Sequence, residues 1–267
     1  MGVLASIVDR SISGSFESEV FKIGSYAFRD CGSLTEVSFP NATSIGNNAF
    51  QDCSNLTSAS FPNATSIGGY AFYSCRSLTS IAIPNATSIG NYAFQSCSKL
   101  TEVSFPNATS IGNEAFSSCS GLTSVSLPNA TSIDGYAFNN CSSLTSASIP
   151  NATSIGVKVF QSCSSLTSVD IPNVTSIGVR AFQSCSSLTS VDIPNVTSID
   201  NYAFYQCSSL TTIYVGINTS TVCTLANTNA FKGCTKLTNI YVPASLVDSY
   251  KSATNWSTYA SKIKAAP

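Results

Sequence analysis

The sequence contains no histidine, and only 9% of its 267 residues are charged. Without histidine, the Ser-His-Asp and Cys-His arrangements of nucleophilic catalysis are excluded, together with the commonest general base. No glycine-rich phosphate loop is present either. We therefore expect no catalytic residues, no cofactor and no metal site, and predict that the protein is not an enzyme.

Strong charge and long apolar runs are also missing. The formal net charge is −1 and no run of lysine and arginine occurs, so the electrostatic footprint of a nucleic-acid-binding protein is absent. No stretch reaches 18 apolar residues, and we expect no membrane insertion. Residues 1–6 lack the basic start and long apolar run of a secretory signal. Export would then need a leader that has been removed, or another route.

What the sequence does contain is a 22-residue unit, repeated without insertion or deletion. Each copy opens with isoleucine, which we number place 1. The copies open at Ile23, Ile45, Ile67, Ile89, Ile111, Ile133, Ile155, Ile177 and Ile199. Phenylalanine recurs at place 6, cysteine at place 9, leucine at place 12 and proline at place 18. A fixed period indicates one structural unit stacked many times, each burying its apolar face against its neighbours.

The unit itself predicts one strand and several turns. Apolar places 15 and 17 alternate with polar places 14 and 16, which is strand periodicity, and the proline at place 18 ends the strand. We expect these strands to pair in parallel and in register. The Asn-Ala-Thr-Ser stretch is interpreted as a turn, and Ala-Phe-x-x-Cys as a single 3₁₀ or α turn. Place 2 is Gly or Asp, from which we infer a positive φ there.

Three segments are predicted along the chain. Residues 1–22 form an N-terminal cap, and residues 23–242 form a solenoid of about ten coils with an irregular loop at 216–229. Residues 243–267 form a helical C-terminal cap, with one helix after Pro243 and a second whose N-cap is Asn255. The apolar residues of these two helices are Leu246, Val247 and Tyr250, and Trp256, Tyr259 and Ile263.

The pattern Ile-Gly-x-x-Ala-Phe-x-x-Cys-x-x-Leu-x-x-Val-x-Ile-Pro resembles the BspA-like class of bacterial leucine-rich repeats over about residues 20–243. The resemblance implies a curved solenoid with one parallel β-sheet and short 3₁₀ or α turns on the opposite side. It also implies display on a cell surface for adhesion. The unit is slightly shorter than is common in that class. Segments 7–12 and 221–259 are similar to the termini of repeat proteins from gut Firmicutes and their prophages.

We therefore expect a non-enzymatic recognition or adhesion module, extracellular or on the cell surface. Its partner would be a host or cell-surface protein, or a glycan, bound through the repeat surface. The similarity of the termini leaves open an alternative, a structural or receptor-binding component of a phage tail-like particle located in the virion. A passive spacer that binds nothing is the third hypothesis.

Two outward surfaces carry the candidate ligand-binding residues. Places 14 and 16 should point away from the core if 15 and 17 point inward. They are mostly serine, interrupted by Glu36, Glu102, Asp170, Asp192, Tyr214 and Tyr241. Because like charges directly opposite one another are unfavourable, Asp170 and Asp192 either bind a cation or ligand amine, or belong to a solvated face.

The second candidate surface is place 4. It carries Tyr26, Tyr70, Tyr92, Tyr136 and Tyr202, interrupted by Asn48, Glu114, Lys158 and Arg180. Exposed aromatic rings can stack on sugar rings, whereas aromatic rings in a repeat can also cover the edge of a neighbouring core ladder. Both interpretations stay open at this point.

Ten of the eleven cysteines occupy place 9. They lack the C-x₂-C pairs of zinc sites, and we predict buried, reduced thiols that act as small hydrophobic groups. Cys223 lies outside the register and is expected to be the most reactive thiol. The Asn-Ala/Val-Thr motif, which occurs eight times from Asn41 to Asn195, is interpreted as turn chemistry in preference to glycosylation.

Overall fold

The computed structural model describes residues 11–13 by their backbone and residues 21–267 with their side chains. The N-terminal cap predicted at 1–22 therefore lies almost wholly outside the described residues. In chain order the strands are β1 (Ser11–Ser13), β2 (Phe21–Ile23), β3 (Glu36–Ser38), β4 (Ala42–Ile45), β5 (Ser58–Ser60), β6 (Ser66–Ile67), β7 (Ser80–Ala82), β8 (Ser88–Ile89), β9 (Glu102–Ser104), β10 (Ser110–Ile111), β11 (Ser124–Ser126), β12 (Ser132–Ile133), β13 (Ser146–Ser148), β14 (Ser154–Ile155), β15 (Ser168–Asp170), β16 (Ser176–Ile177), β17 (Ser190–Ile193), β18 (Ser198–Ile199), β19 (Thr212–Val215), β20 (Thr224–Leu225), β21 (Asn239–Val242) and β22 (Ile263–Ala265).

Helical structure in the described residues is confined to the C-terminal end. The helices are the 3₁₀ helices Thr228–Phe231, Ala244–Leu246 and Trp256–Lys262, and the α-helix α1 (Val247–Ser252). The structure is therefore a continuous stack of coils that is closed at its C-terminal end by short helices, as expected for a leucine-rich-repeat solenoid.

The strands form two parallel ladders that run along the stack. Odd-numbered strands and β22 form the first ladder, at places 14–16, while the other even-numbered strands form the second, around places 22 and 1. Pairing is in register with a shift of one unit, so that Val125 lies opposite Val103 on one side and Ala147 on the other. Parallel, in-register stacking is confirmed. The hydrogen bonds of the first ladder are interrupted between β7 and β9 and between β15 and β17.

The second ladder was not predicted, because Asn-Ala-Thr-Ser was assigned entirely to a turn. The turn is limited to Pro-Asn, and the chain is extended again at Ser-Ile. Seven asparagines of this motif donate Nδ2–H to the proline carbonyl of the preceding coil at 2.6–3.1 Å. The threonine hydroxyls bond the preceding coil in the same way, as Thr87 Oγ1 does to the Thr65 carbonyl at 3.1 Å. The asparagine and threonine side chains therefore bond backbone carbonyls, as expected, but they do so between coils and not within one turn.

The core consists of columns in which each side chain packs on the side chain at the same place of the next coil. The phenylalanine rings of place 6 stack at centroid distances of 5.0–5.6 Å with interplanar angles of 1–19°. Full burial of such a side chain is worth about 1.5–3 kcal/mol. The leucines of place 12 are buried beside them.

The cysteine column is buried and reduced from Cys53 onward, as predicted. Nine of its thiols also donate to the place-6 carbonyl of the preceding coil, with Sγ···O distances of 3.0–3.1 Å. The expectation for Cys223 was wrong. This residue is 1% exposed, and burial raises the pKa of its thiol to about 12. Cys31, in the first coil, is the cysteine that is not fully buried.

The Ala-Phe-x-x-Cys arc is a series of linked turns in place of one helical turn. In the first coil, Phe28 N–H donates to the Ala49 carbonyl of the next coil at 2.8 Å, while Cys31 N–H donates back to the Phe28 carbonyl at 3.3 Å. Alternate amides thus point along the stack, which a helical turn does not permit. Only the last coil, at Thr228–Phe231, adopts a 3₁₀ helix.

The positive φ inferred for place 2 was also wrong. It occurs at places 4 and 8, where it is 53–63° in every copy from Tyr26 to Gln206. Glycine at place 2 instead permits close approach of two coils. A Cβ added to Gly90 would lie 2.6 Å from the carbonyl carbon of Gly68 and the nitrogen of Gly69.

The C-terminal segment covers the end of the phenylalanine column. Trp256 and Tyr259 both contact the ring of Phe231, at 6.0 and 5.4 Å between centroids. Trp256 Nε1–H also donates to the Cys223 carbonyl at 2.7 Å. The predicted second helix begins where expected but is a 3₁₀ helix. Ile263 lies beyond it, in β22.

Asn255 was expected to cap this helix with its side chain, and that expectation was wrong. Its φ is 66° and it makes no side-chain cap bond. Its Nδ2 instead donates to the Leu225 carbonyl of β20 at 2.7 Å.

Candidate functional site

The first candidate surface is the outer face of the first ladder, which we call the sheet surface and define by places 14 and 16. Glu36, Glu102, Asp170 and Asp192 are all exposed on it, and Tyr214 and Tyr241 are half-buried on it. The outward direction of these side chains follows from strand alternation, since their neighbours at places 15 and 17 point into the core.

An open groove of about 730 Å³ runs along the middle of the sheet surface, across five coils from Thr79 to Asp170. Glu102 and Asp170 line it, near its two ends. Between them the lining is mostly serine, including Ser124 and Ser126. Because these side chains are small, the groove can admit the side chains of a partner.

Four of the predicted residues form one file at place 16 in consecutive coils. Asp192 lies directly opposite Tyr214, which lies opposite Tyr241. The two tyrosine rings stack at 4.9 Å with an interplanar angle of 21°. Asp170 accepts a hydrogen bond from Ser148 Oγ at 2.9 Å, and burial raises the pKa of the Asp192 carboxyl.

Glu36 and Glu102 lie apart from this file, at place 14. Glu36 pairs with Ser58 near the start of the stack, outside the groove. Among the described residues no cluster of three His, Cys, Asp or Glu side chains is arranged to hold a metal ion. The acidic pair of Asp170 and Asp192 thus stands next to an aromatic pair on one surface.

The second candidate surface, at place 4, is called the tyrosine column and lies on a different side of each coil. Tyr26 and Tyr70 are exposed, by 56% and 38%, and Tyr92, Tyr136 and Tyr202 are half-buried. Tyr70 stacks on Tyr92 at 4.6 Å. The carboxylate of Glu114 raises the pKa of the Tyr92 phenol.

The other half of the tyrosine column carries cations. In the sequence, Lys158 and Arg180 had only been identified as residues that interrupt the series of tyrosines at place 4. Lys158 Nζ lies 4.8 Å from the centroid of the Tyr136 ring, and Arg180 Cζ lies 5.4 Å from that of Tyr202. These are cation–π distances. The signal in the sequence was a basic residue at place 4 in two consecutive copies.

A smaller surface was not predicted at all. An open depression of about 570 Å³ is lined by Asn140, Ser142, Ser162, Ser164, Ser184, Ser186 and Gln206. These residues occupy places 8 and 10, and serine in so many copies gives no sequence signal that distinguishes one surface from another.

Comparison with known proteins agrees with this architecture. The family model described as BspA type leucine-rich repeat region matches residues 21–145 and 131–260, in six copies. No curated protein sequence matches the chain. None of the helices in the part of the chain that the structure describes is long and apolar enough to cross a membrane.

Several solved leucine-rich repeat structures are similar to this chain. A leucine-rich repeat protein from Bacteroides ovatus is 24% identical, with 93% of this chain and 88% of that chain covered and a TM-score of 0.40. A leucine rich cell surface protein from Faecalibacterium prausnitzii is 24% identical, covering 97% and 92%, with a TM-score of 0.41. The T. pallidum leucine rich repeat protein is 24% identical, covering 67% and 78%, with a TM-score of 0.49.

Proposed function

Because the chain belongs to the BspA-type leucine-rich repeat family, whose members are suited to protein binding or adhesion and are typically surface-associated, we propose that it is a non-enzymatic recognition module that acts outside the cell. Its partner is a protein, bound in the groove of the sheet surface. Solenoids present extended surfaces of this kind to their ligands.

The groove of about 730 Å³ across five coils is the observation that carries the proposal. It is open along the stack and formed by strands in parallel register, so an elongated partner segment needs no rearrangement of the module. Rigid surfaces reduce the entropic cost of binding. The serine lining supplies hydroxyl groups for hydrogen bonds at every coil.

Charge on the sheet surface favours a partner with lysine and arginine. Glu102 and Asp170 line the groove, and Asp192 continues the file beyond Asp170. The positive charge in this file is that of Lys264, which lies opposite Tyr241 in the next strand. Its Nζ donates a hydrogen bond to Asn239 Oδ1 at 2.6 Å. Complementary charge increases association rates and selects partners.

The tyrosine pair at the end of the file supplies an anchor. Tyr214 and Tyr241 hold each other in place by stacking and are half-buried. Tyrosine is enriched among the residues that dominate protein–protein binding energies. The acidic file and the tyrosine pair together fit a partner segment that combines basic and apolar side chains.

The proposal is tested by binding of the immobilised protein to arrays of extracellular proteins and of glycans. Two variants are compared with the natural sequence. Ser126→Trp fills the centre of the groove, and Ser38→Trp makes the same change at the same place of the ladder, outside the groove. Both serines are exposed, so both variants should fold.

We expect at least one protein ligand, weakened tenfold or more by Ser126→Trp and less than twofold by Ser38→Trp. Its binding should also weaken as salt is added, because the groove is acidic. Binding to glycans alone, no binding at all, or equal effects of the two variants would each contradict the proposal.

The other hypotheses stay predictions. A role in a phage tail-like particle or a location in the virion is tested by no observation of the fold, and neither is a passive spacer. Binding in the array experiment would exclude the spacer.

A further inference from the structure

Lys158 and Arg180 place two positive charges next to each other in the tyrosine column. Both occupy place 4 of consecutive coils, which are about 4.8 Å apart in a parallel ladder. Their positions are fixed by the backbone, since Lys158 N–H donates to the Val179 carbonyl at 2.9 Å and Arg180 N–H to the Asn201 carbonyl at 3.0 Å. Like charges in direct register are unfavourable unless something compensates them.

No carboxylate of the described residues compensates these charges. The ion pair that occurs among the described residues joins Arg29 to Asp30 in the first coil, with an N···O distance of 3.4 Å. Lys158 and Arg180 lie over the rings of Tyr136 and Tyr202 instead. A ring face holds a cation without using its N–H donors, so both side chains keep donors available for an anion.

Two oxygen acceptors without partners belong to residues whose backbones are hydrogen-bonded to that of Arg180. Gln183 Oε1 and Asn201 Oδ1 are the buried side-chain oxygens of the described residues that make no hydrogen bond. Gln183 N–H donates to the Arg180 carbonyl at 3.1 Å, and the Asn201 carbonyl accepts from Arg180 N–H. Both residues are half-buried. Their amides can therefore turn toward the surface without breaking a hydrogen bond made by these oxygens.

We propose that Lys158, Arg180, Gln183 and Asn201 form a second binding site, which takes an acidic sugar. The sulfate or carboxylate group of the sugar lies between the two cations, where both can donate to it. Its hydroxyl groups donate to the two amide oxygens, which have no donor in the protein. The edges of Tyr136 and Tyr202 border the site.

A sugar fits this combination better than other anions. An acidic peptide or inorganic phosphate would satisfy the cations but offers few hydroxyl donors for the two oxygens. A nucleic acid would require a larger basic patch. The site lies on a different side of the coil from the groove and has the opposite charge, so one module would hold two unlike ligands.

The site is tested by titrating the full chain with dextran sulfate, polygalacturonate, unmodified dextran and polyglutamate. The double variant Lys158→Gln/Arg180→Gln removes both charges and keeps the side-chain lengths similar. Arg29→Gln is the matched control, because Arg29 also lies beside a tyrosine, at 5.8 Å from the Tyr26 centroid, but has Asp30 as its ion-pair partner. Thermal unfolding verifies that each variant is folded.

We expect binding of at least one acidic polysaccharide, none of dextran, and at least tenfold weaker binding of polyglutamate. The double variant should lose tenfold or more in affinity and Arg29→Gln less than twofold. Gln183→Leu should lower the affinity for the acidic polysaccharide without changing the affinity for polyglutamate. The proposal is overturned if no acidic polysaccharide binds, if polyglutamate binds equally well, or if the double variant binds like the natural sequence.

Discussion

Places 6 and 4 lie two residues apart in every coil, yet their columns differ in composition. Place 6 is phenylalanine from Phe28 to Phe204, and the same residue recurs at Phe231 in the irregular last coil. Place 4 changes between Tyr, Asn, Glu, Lys and Arg. The place-6 ring is buried between the same rings of its two neighbouring coils, so one shape fills that column at the density of a protein interior. Outward side chains have no such restriction.

The comparison separates the residues that determine the fold from the residues that can determine recognition. The inner columns determine the stack and stay apolar in every coil. The outer columns contain the charges and exposed rings that distinguish one stretch of surface from another. Recognition is therefore expected to depend on the coils in which place 4, 14 or 16 departs from its usual residue.

Alkaline pH should separate the inner from the outer columns by the largest effect. Burial raises the pKa of Cys53, Cys119, Cys163 and Cys223 from 9.0 to about 12. Below pH 9 these thiols are protonated in both the folded and the unfolded chain, and their contribution to stability is complete. Between pH 9 and 12 only the unfolded chain loses the protons, so stability falls by about 1.4 kcal/mol per pH unit for each thiol.

Denaturant unfolding followed by circular dichroism from pH 7 to 11 measures this slope. Cys119→Ala should reduce the slope by the share of one thiol. A denaturation midpoint that stays constant from pH 8 to pH 10.5 would contradict the buried thiol column.

Removing one ring from each column is the second test. Phe116 stacks on Phe94 at 5.2 Å and on Phe138 at 5.3 Å, and Phe116→Ala should lower the free energy of unfolding by about 3–5 kcal/mol. Tyr26→Ala removes an exposed ring and should cost less than about 1 kcal/mol. Similar losses in the two variants, measured by chemical unfolding, would contradict the distinction between inner and outer columns.

A smaller effect is expected from the close contact between coils at place 2. The added methyl group of Gly90→Ala meets the backbone of the preceding coil at 2.6 Å, and such overpacking costs about 1–3 kcal/mol. Gly32→Ala is the control, because its new Cβ would meet only Ser54 Oγ at 3.9 Å. Thermal unfolding should show a lower midpoint for the first variant alone; equal midpoints would mean that the coils are further apart.

Most of the fold could be predicted because the same residue types recur at the same places in every copy of the unit, so that each contact between coils is indicated many times. The inward direction of Val37 and Phe39 follows from strand alternation, and the stacking of Phe50 on Phe72 follows from the fixed period. The second ladder could not be predicted, since each of its regular strands has two residues and such a length carries no periodicity. The propensity of Ser-Ile alone does not distinguish a strand from a turn.

The positive φ at place 4 could not be predicted either. A bulky residue in the left-handed region costs about 1–2 kcal/mol, so local propensity argues against it at Tyr70 or Lys158. The hydrogen bond from each place-4 amide to the next coil, such as Tyr70 N–H to the Asn91 carbonyl at 2.9 Å, overrides that preference. Stacking neighbours, which depend on three-dimensional contacts, decided the conformation.

The candidate surfaces were predictable in part. The exposure of Asp170 and Asp192 on one face follows from their place in the strand. The contacts of Lys158 with Tyr136 and of Arg180 with Tyr202 do not, because long side chains choose among several rotamers. The two unpartnered amide oxygens become visible only when all hydrogen bonds are known.

Cross-linking of engineered cysteine pairs tests the in-register stacking on which every column depends. Ser124 and Ser146 are Cα partners in β11 and β13, and Ser124→Cys/Ser146→Cys should form a disulfide under mild oxidation, since adjacent parallel strands are about 4.8 Å apart. Ser124→Cys/Ser168→Cys, with its residues two coils apart at about 10 Å, should not. Peptide mapping that finds both disulfides to the same extent, or neither, would contradict the stack.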